Sequence, residues 1–496
     1  MVTVASRASP SGAARTVRWA NPVIVMVAVA LGLSVGRLRN VPPWALLLAV
    51  PTFIIVCFVL SRGPLVCLAA LVVVDVLGLY QDSLGAGPLK LRTIDLFWVG
   101  LVVWMIVVRK RDGQQPGRDI GQRALALWLF ALGISLVPVA VHAPGLVTDS
   151  VVAWLRVVQT FSLVWLLPYG IRRVKDAEFA IGVVEFAAAA EIIRAIFVAA
   201  TTGALGARLE GGNSANTEGL LAALLIVAAL HAPVPRRGGL RVAYLAVGLV
   251  GLFMARSLGA TAAVVAALAI FGLGSRAARV QASGLLMPIR VILLILAAVI
   301  LAGSFRAENL PTSSKFSKST TVHRAVLATA GLELFAGDPI VGIGWQRSSA
   351  LIANPALNDS LQRTFGADIN PEFLPEKNPT GVHNMYVQML AEAGIVGTLC
   401  LLAFLFLCGR GIRDALRDLR SMPAAYETIR ACMVMLVVLA VWWNDNALYG
   451  GQPESVIAAT LLGVLAASTF AVKSDPSYGE SVPNQRAMPG SPRRRP

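Results

Sequence analysis

The chain has 496 residues, of which 56% are hydrophobic and 14% charged, with a mean hydropathy of +0.70. Soluble globular domains carry roughly a quarter charged residues, so this composition excludes that class and places the chain in a membrane. The formal charge of +16, from 43 Lys and Arg against 27 Asp and Glu, comes from basic clusters beside apolar runs, which reads as a topology signal and implies no nucleic acid.

An apolar run must reach about 17 to 25 residues to cross roughly 30 Å of hydrocarbon. In chain order such runs lie near 20–36, 43–61, 63–80, 94–108, 123–141, 151–170, 178–201, 218–233, 240–256, 258–274, 287–304, 387–409, 428–446 and 453–472. They predict an all-α polytopic integral membrane protein with about 12–14 transmembrane helices. The first run follows Arg7, Arg15 and Arg18 but offers no small-x-small cleavage site, so it reads as a retained helix.

Lys and Arg favour cytoplasmic loops. With the N-terminus inside, those loops hold Arg62, Arg109 to Arg111, Arg172, Arg173, Lys175, Arg236, Arg237, Arg276, Arg279, Arg410, Arg413, Arg417 and Arg420, while the short outer loops hold far fewer. Both termini are then cytoplasmic. Residues 1–19 and 474–496, rich in Ser, Pro, Gly and Arg, read as disordered tails. Cys57, Cys67, Cys400, Cys408 and Cys432 all fall within predicted spans, which leaves no disulfide framework and no CxxC metal site.

Between a bundle over 20–304 and closing helices over 385–473, residues 305–384 form one long polar stretch. By the charge asymmetry it faces outward, and loops of this length commonly carry function. Within it, "TTVHRAVLATAGLELFAGDPIVGIGW" predicts a short amphipathic helix capped by Ser319 or Thr320, with Val322, Val326, Leu327, Leu334 and Phe335 on its apolar side and a stop at Gly337 and Pro339. "GIGW" then permits tight turns, and a mostly irregular stretch leads to His383 and Asn384 at the start of the next apolar run.

An outer loop containing "HRAVLATAGLELFAGDPIVGIGWQRS", leaving through "HNMYVQMLAEAGIVGTLCLLAFLF", resembles the O-antigen ligase and Wzy-type polysaccharide polymerase superfamily. "ARLEGGNSANTEGLLAALLI" (207–226) is similar to the family's Arg-x-x-Gly…Asn segment, with "SAN" in place of its Pro-Asn, so that Asn213 and Asn216 compete for one position. "ARSLGATAAVVAAL" (255–268) is similar to its Ser-Arg-Gly-like segment with the order inverted.

The resemblance implies a GT-C-like membrane glycosyltransferase of the bacterial cytoplasmic (inner) membrane with a catalytic loop at 305–384. Such an enzyme moves glycan from an undecaprenyl-diphosphate-linked donor to a hydroxyl on a glycan or glycolipid acceptor. A general base is then needed for the acceptor hydroxyl, and neutral histidine suits that task, which assigns His383. Arginine forks match phosphate oxygens, which assigns Arg208, Arg324 and Arg256 to the substrate, with Asn384 beside them. No cofactor and no metal are implied, since carboxylates do not cluster and no His-x-x-x-His spacing occurs.

Plainer readings stand beside these. His383 can be an interfacial residue, Arg324 a solvated helix residue, and Arg256 a snorkelling one. Asn384, Gln388 and Glu392 recur every four residues and make one polar stripe, which can orient the imidazole or bond neighbouring helices. Glu191 and Arg194 suit an ion pair on one helix face, whereas Glu185 and Arg156 have no evident partner in sequence. Asp445 lies close to the predicted active face without an assigned role. A transporter or flippase of lipid-linked glycans is the competing class, but no internal repeat supports it. A RodA-like peptidoglycan polymerase would instead use a loop aspartate such as Asp338 or Asp368.

Overall fold

The computed structural model describes residues 63–78, 93–112, 120–204, 208–209, 213–234, 238–271, 314–352, 355–365, 381–444, 446–450 and 452–474. The predicted spans 20–36, 43–61 and 287–304, both tails, Asp368 and Asp445 lie outside the described residues. Among the described residues the elements are helical, with no strand.

The helices follow the apolar runs. They are α1 (Pro64–Val76), α2 (Thr93–Asp112), α3 (Gln122–Ile134), α4 (Leu136–His142), α5 (Val147–Phe161), α6 (Leu163–Gly170), α7 (Val174–Thr201), α8 (Ala215–His231), α9 (Gly238–Ala255) and α10 (Leu258–Phe271). Then come α11 (Ser314–Gly337), α12 (Ser348–Ile352), α13 (Pro355–Phe365), α14 (Met385–Asp418), α15 (Pro423–Trp442) and α16 (Pro453–Ser474). Two predicted spans are each two helices in tandem, divided at Ser135 and Ser162. Five stretches of the described chain are long and apolar enough to cross a membrane: 122–142, 144–170, 238–255, 385–418 and 423–442.

The centre of the bundle is α8. Its sequence is apolar on every side, as expected of a helix enclosed by other helices, and every residue in it except Asn216 is buried. It packs against α7, α9, α10 and α15. Gly248 of α9 allows a close approach to α8, and Gly251 one to α7, since a Cβ there would press on Ile226 and Ile192 respectively. The outward faces keep residues such as Phe130, Phe186, Phe197, Phe253 and Phe406 exposed, which suits contact with lipid.

Two arginines inside the bundle find carboxylate partners. Arg194 donates through Nε to Glu191 Oε2 at 2.7 Å, the pair expected from their spacing. Arg156, without an evident partner in sequence, pairs with Asp95 of α2 and also donates to Gln159 Oε1 at 2.9 Å. Asp95 is 61 residues away, so pattern within one helix had no means of finding it. Glu185 has the charge of Arg241 for company.

The outer segment is more ordered than its composition suggested. Ser319 and Thr320 do not cap a helix; they lie inside α11, because Ser and Thr favour caps yet only mildly oppose a helix that is already propagating. Where an irregular stretch was expected, α12 and α13 form. Leu361 of α13 joins Val326, Leu327 and Ala330 of α11 and Val382 in a small apolar cluster, so these helices share a core with the chain just before His383.

Candidate functional site

His383 is half-buried between that cluster and the start of α14. Asn384 is the N-cap: its Oδ1 accepts from the N–H groups of Tyr386 at 2.9 Å and Val387 at 3.1 Å, as a cap residue does. Its Nδ2 donates to the backbone carbonyl and Oδ1 of Asn444, at 2.8 and 3.0 Å. Both ends of this amide are therefore engaged by the protein, and they pin the backbone beside His383 to the loop between α15 and α16. The Met385 N–H continues that seam, with the carbonyls of Trp443 and Asn446 both at 3.0 Å.

The polar stripe continues downward as a structural tie. Gln388 donates to Glu392 at 3.1 Å and accepts from the Leu448 N–H at 2.8 Å. Glu392, only 1% exposed, also accepts from the Ser348 hydroxyl, the Ser348 N–H at 3.3 Å and the Gln346 N–H at 3.1 Å. A buried carboxylate with this many donors is satisfied. The stripe thus bonds loops on both sides of α14.

One turn further, α14 is interrupted. Gly394 has φ 63° and ψ −166°, outside the helical region. A break inside hydrocarbon would strand backbone groups at a cost of several kcal/mol each. Here the segment after α11 meets them: Ile343 and Gly344 donate to the carbonyls of Ala391 and Glu392 at 2.9 and 3.1 Å, while Ile395 and Val396 donate to those of Pro339 and Ile340 at 2.9 and 3.3 Å. Glycine is required on both sides of this contact. Gly342 and Gly344 have φ of 74° and 109°; a Cβ on Gly342 would strike the Glu392 backbone, and one on Gly344 would strike Val139 of α4.

The arginines approach from two sides. Arg208, half-buried, donates from Nε to the Ala255 carbonyl at 3.1 Å and from a terminal nitrogen to Asn216 Oδ1 at 2.7 Å. Arg256, the residue after Ala255, is exposed and held at φ 48°, so the two weakly matching segments meet in one place. Arg324 is half-buried on α11, two turns before Gly331 and on nearly the same face. A Cβ on Gly331 would press on Val387 and Val382, so that face of α11 lies along the chain that carries His383.

Sequence reasoning missed Asn446, which links the two sides: Asn216 Nδ2 reaches its Oδ1 at 3.4 Å, and its backbone carbonyl takes the Met385 N–H. Nothing in a short outer loop beside two tryptophans distinguished it. Between Asn213 and Asn216, Asn216 is the one beside Arg208. Asn213 turns the other way, donating to the Val76 carbonyl at 2.8 Å and to Glu191 at 3.2 Å. Among the described residues, no three His, Cys, Asp or Glu side chains gather in a metal-holding arrangement.

The fold and the segment after α11 define an all-α, multi-pass membrane protein whose long loop is built into an interrupted helix. The family model described as O-antigen ligase matches residues 243–402, from α9 through the break in α14, and so supports the resemblance to the O-antigen ligase and Wzy-type polymerase superfamily. That match supports, in general terms, a membrane glycan ligase or polymerase. No curated protein matches the chain.

Proposed function

We propose that the protein transfers glycan from an undecaprenyl-diphosphate-linked donor to an acceptor hydroxyl at the outer face of the bacterial cytoplasmic membrane, with residues 305–384 as the outward catalytic loop. His383 takes the proton of the acceptor hydroxyl as its oxygen attacks the anomeric carbon. The bond from that carbon to the diphosphate oxygen breaks, and undecaprenyl diphosphate leaves. Arg208 and Arg324, with Arg256 beside them, carry the charge that develops on the leaving diphosphate, a task suited to planar forks. Asn384 fixes the backbone next to the base.

The observation that carries this reading is the hydrogen-bonded path from Arg208 through Asn216 and Asn446 to Met385, two residues after His383. It joins a phosphate-binding group to a base although 175 positions (383 − 208) separate them in the chain. Purified protein given lipid-linked donor and acceptor should form a glycan product and release the lipid diphosphate. Intact donor after prolonged incubation with wild-type protein would overturn the reading.

A further inference from the structure

Asn216 is the one residue of α8 that is not buried, and the start of that helix does not need it, because Ser214 is the N-cap and accepts from the Thr217 N–H at 3.3 Å. Its amide is instead directed sideways. Oδ1 accepts from Arg208 at 2.7 Å, Nδ2 reaches Asn446 at 3.4 Å, and the backbone carbonyl accepts from Trp442 Nε1 at 3.2 Å. With Nε bonded to the Ala255 carbonyl at 3.1 Å, the Arg208 guanidinium is held at two different nitrogens, which fixes both its place and its plane.

We infer that Asn216 is a positioning residue: it aims the Arg208 guanidinium and, through Asn446, sets its place relative to the segment carrying His383. The inference rests on the proposed roles of Arg208 and His383. Chemistry explains why the acceptor is an amide. A carboxylate at 216 would accept the same hydrogen bond, but it would form an ion pair with Arg208 and cancel the charge that a diphosphate must meet. An amide oxygen orients the arginine without placing a further negative charge against it.

The test is a double-mutant cycle on purified protein with lipid-linked donor, reading kcat and donor KM for Asn216→Ala, Asn216→Asp, Arg208→Ala and the Ala double variant. Asn216→Ala should lower transfer about tenfold, the scale of a misplaced binding group, with no further loss in the Arg208→Ala background. Asn216→Asp, isosteric and therefore able to keep the fold, should raise donor KM about tenfold with a smaller change in kcat. An equal loss from Asn216→Ala in both backgrounds, or an unchanged donor KM in Asn216→Asp, would overturn the inference while the proposed function stands. Wild-type transfer by Arg208→Ala would instead overturn the donor site and the inference with it.

Discussion

Glu392 lies inside a membrane-spanning helix and holds Ser348 twice, accepting from its hydroxyl and from its backbone N–H at 3.3 Å. The two residues are 44 positions apart, one in α12 and one in α14. Removing the carboxylate would leave buried donors at Gln346, Ser348 and Gln388 without their acceptor. Glu392→Ala should therefore cost about 2–4 kcal/mol, seen as a lowered melting temperature, and should open the 346–352 stretch to limited proteolysis. Unaltered melting and cleavage would show that the outer segment is held by other contacts.

Gly394 should tolerate no side chain. Its positive φ and the Ile340 carbonyl in the path of a Cβ both oppose Gly394→Ala, whereas Gly409 on the same helix has nothing within 4 Å. We expect Gly394→Ala to reduce the yield of monodisperse protein severalfold and Gly409→Ala to leave it unchanged. Equal behaviour of the two in detergent extracts would contradict the break.

His383→Ala should lower transfer by about 100-fold or more, the scale of a lost general base, with protein level and donor binding retained. Near-normal turnover in a purified assay would send the search for the base to Asp338, Asp368 or Glu392. Arg324→Lys should also lose most transfer, because a point charge does not reproduce the guanidinium fork.

Turnover should be independent of divalent metal. The proposed diphosphate site is built from arginine, whose charge does the work otherwise given to a metal ion. Activity in excess chelator should equal that without it, and a loss restored by magnesium or manganese would refute this.

Orientation is tested by thiol labelling. Gln362 of α13 and Arg413 of α14 are both exposed. In a variant lacking the five native cysteines, Gln362→Cys should react with an impermeant reagent on intact cells, and Arg413→Cys only after lysis. The reverse pattern would invert the topology.

The apolar runs made the helices legible, because hydrocarbon thickness constrains length directly; α9, α15 and α16 begin and end within a few residues of the runs that predicted them. His383, Arg208 and Arg324 stood out in the sequence as polar groups against an apolar background, and the roles proposed for them come from the family resemblance. What could not be read were relations between distant segments. "GIGW" announced turns, yet its partner is a helix break some fifty residues on. Asn213 and Asn216 are equivalent in sequence, and their division between Glu191 and Arg208 follows only from which way each faces at the mouth of α8. Arg156 was visible as a charge in need of a partner, but Asp95 could be recognised as that partner only once α2 and α5 were brought together.

The interruption in α14 also sets an order of events during biosynthesis. Residues 339–344 leave the ribosome before the helix they complete, so their backbone groups wait for Ala391 to Val396 to arrive. Four backbone groups of α14, the carbonyls of Ala391 and Glu392 and the amides of Ile395 and Val396, find their partners only there. Neither stretch is a finished structural unit without the other. The outer loop and the span that follows it are thus assembled as one piece, and the geometry around His383 is set when that piece closes.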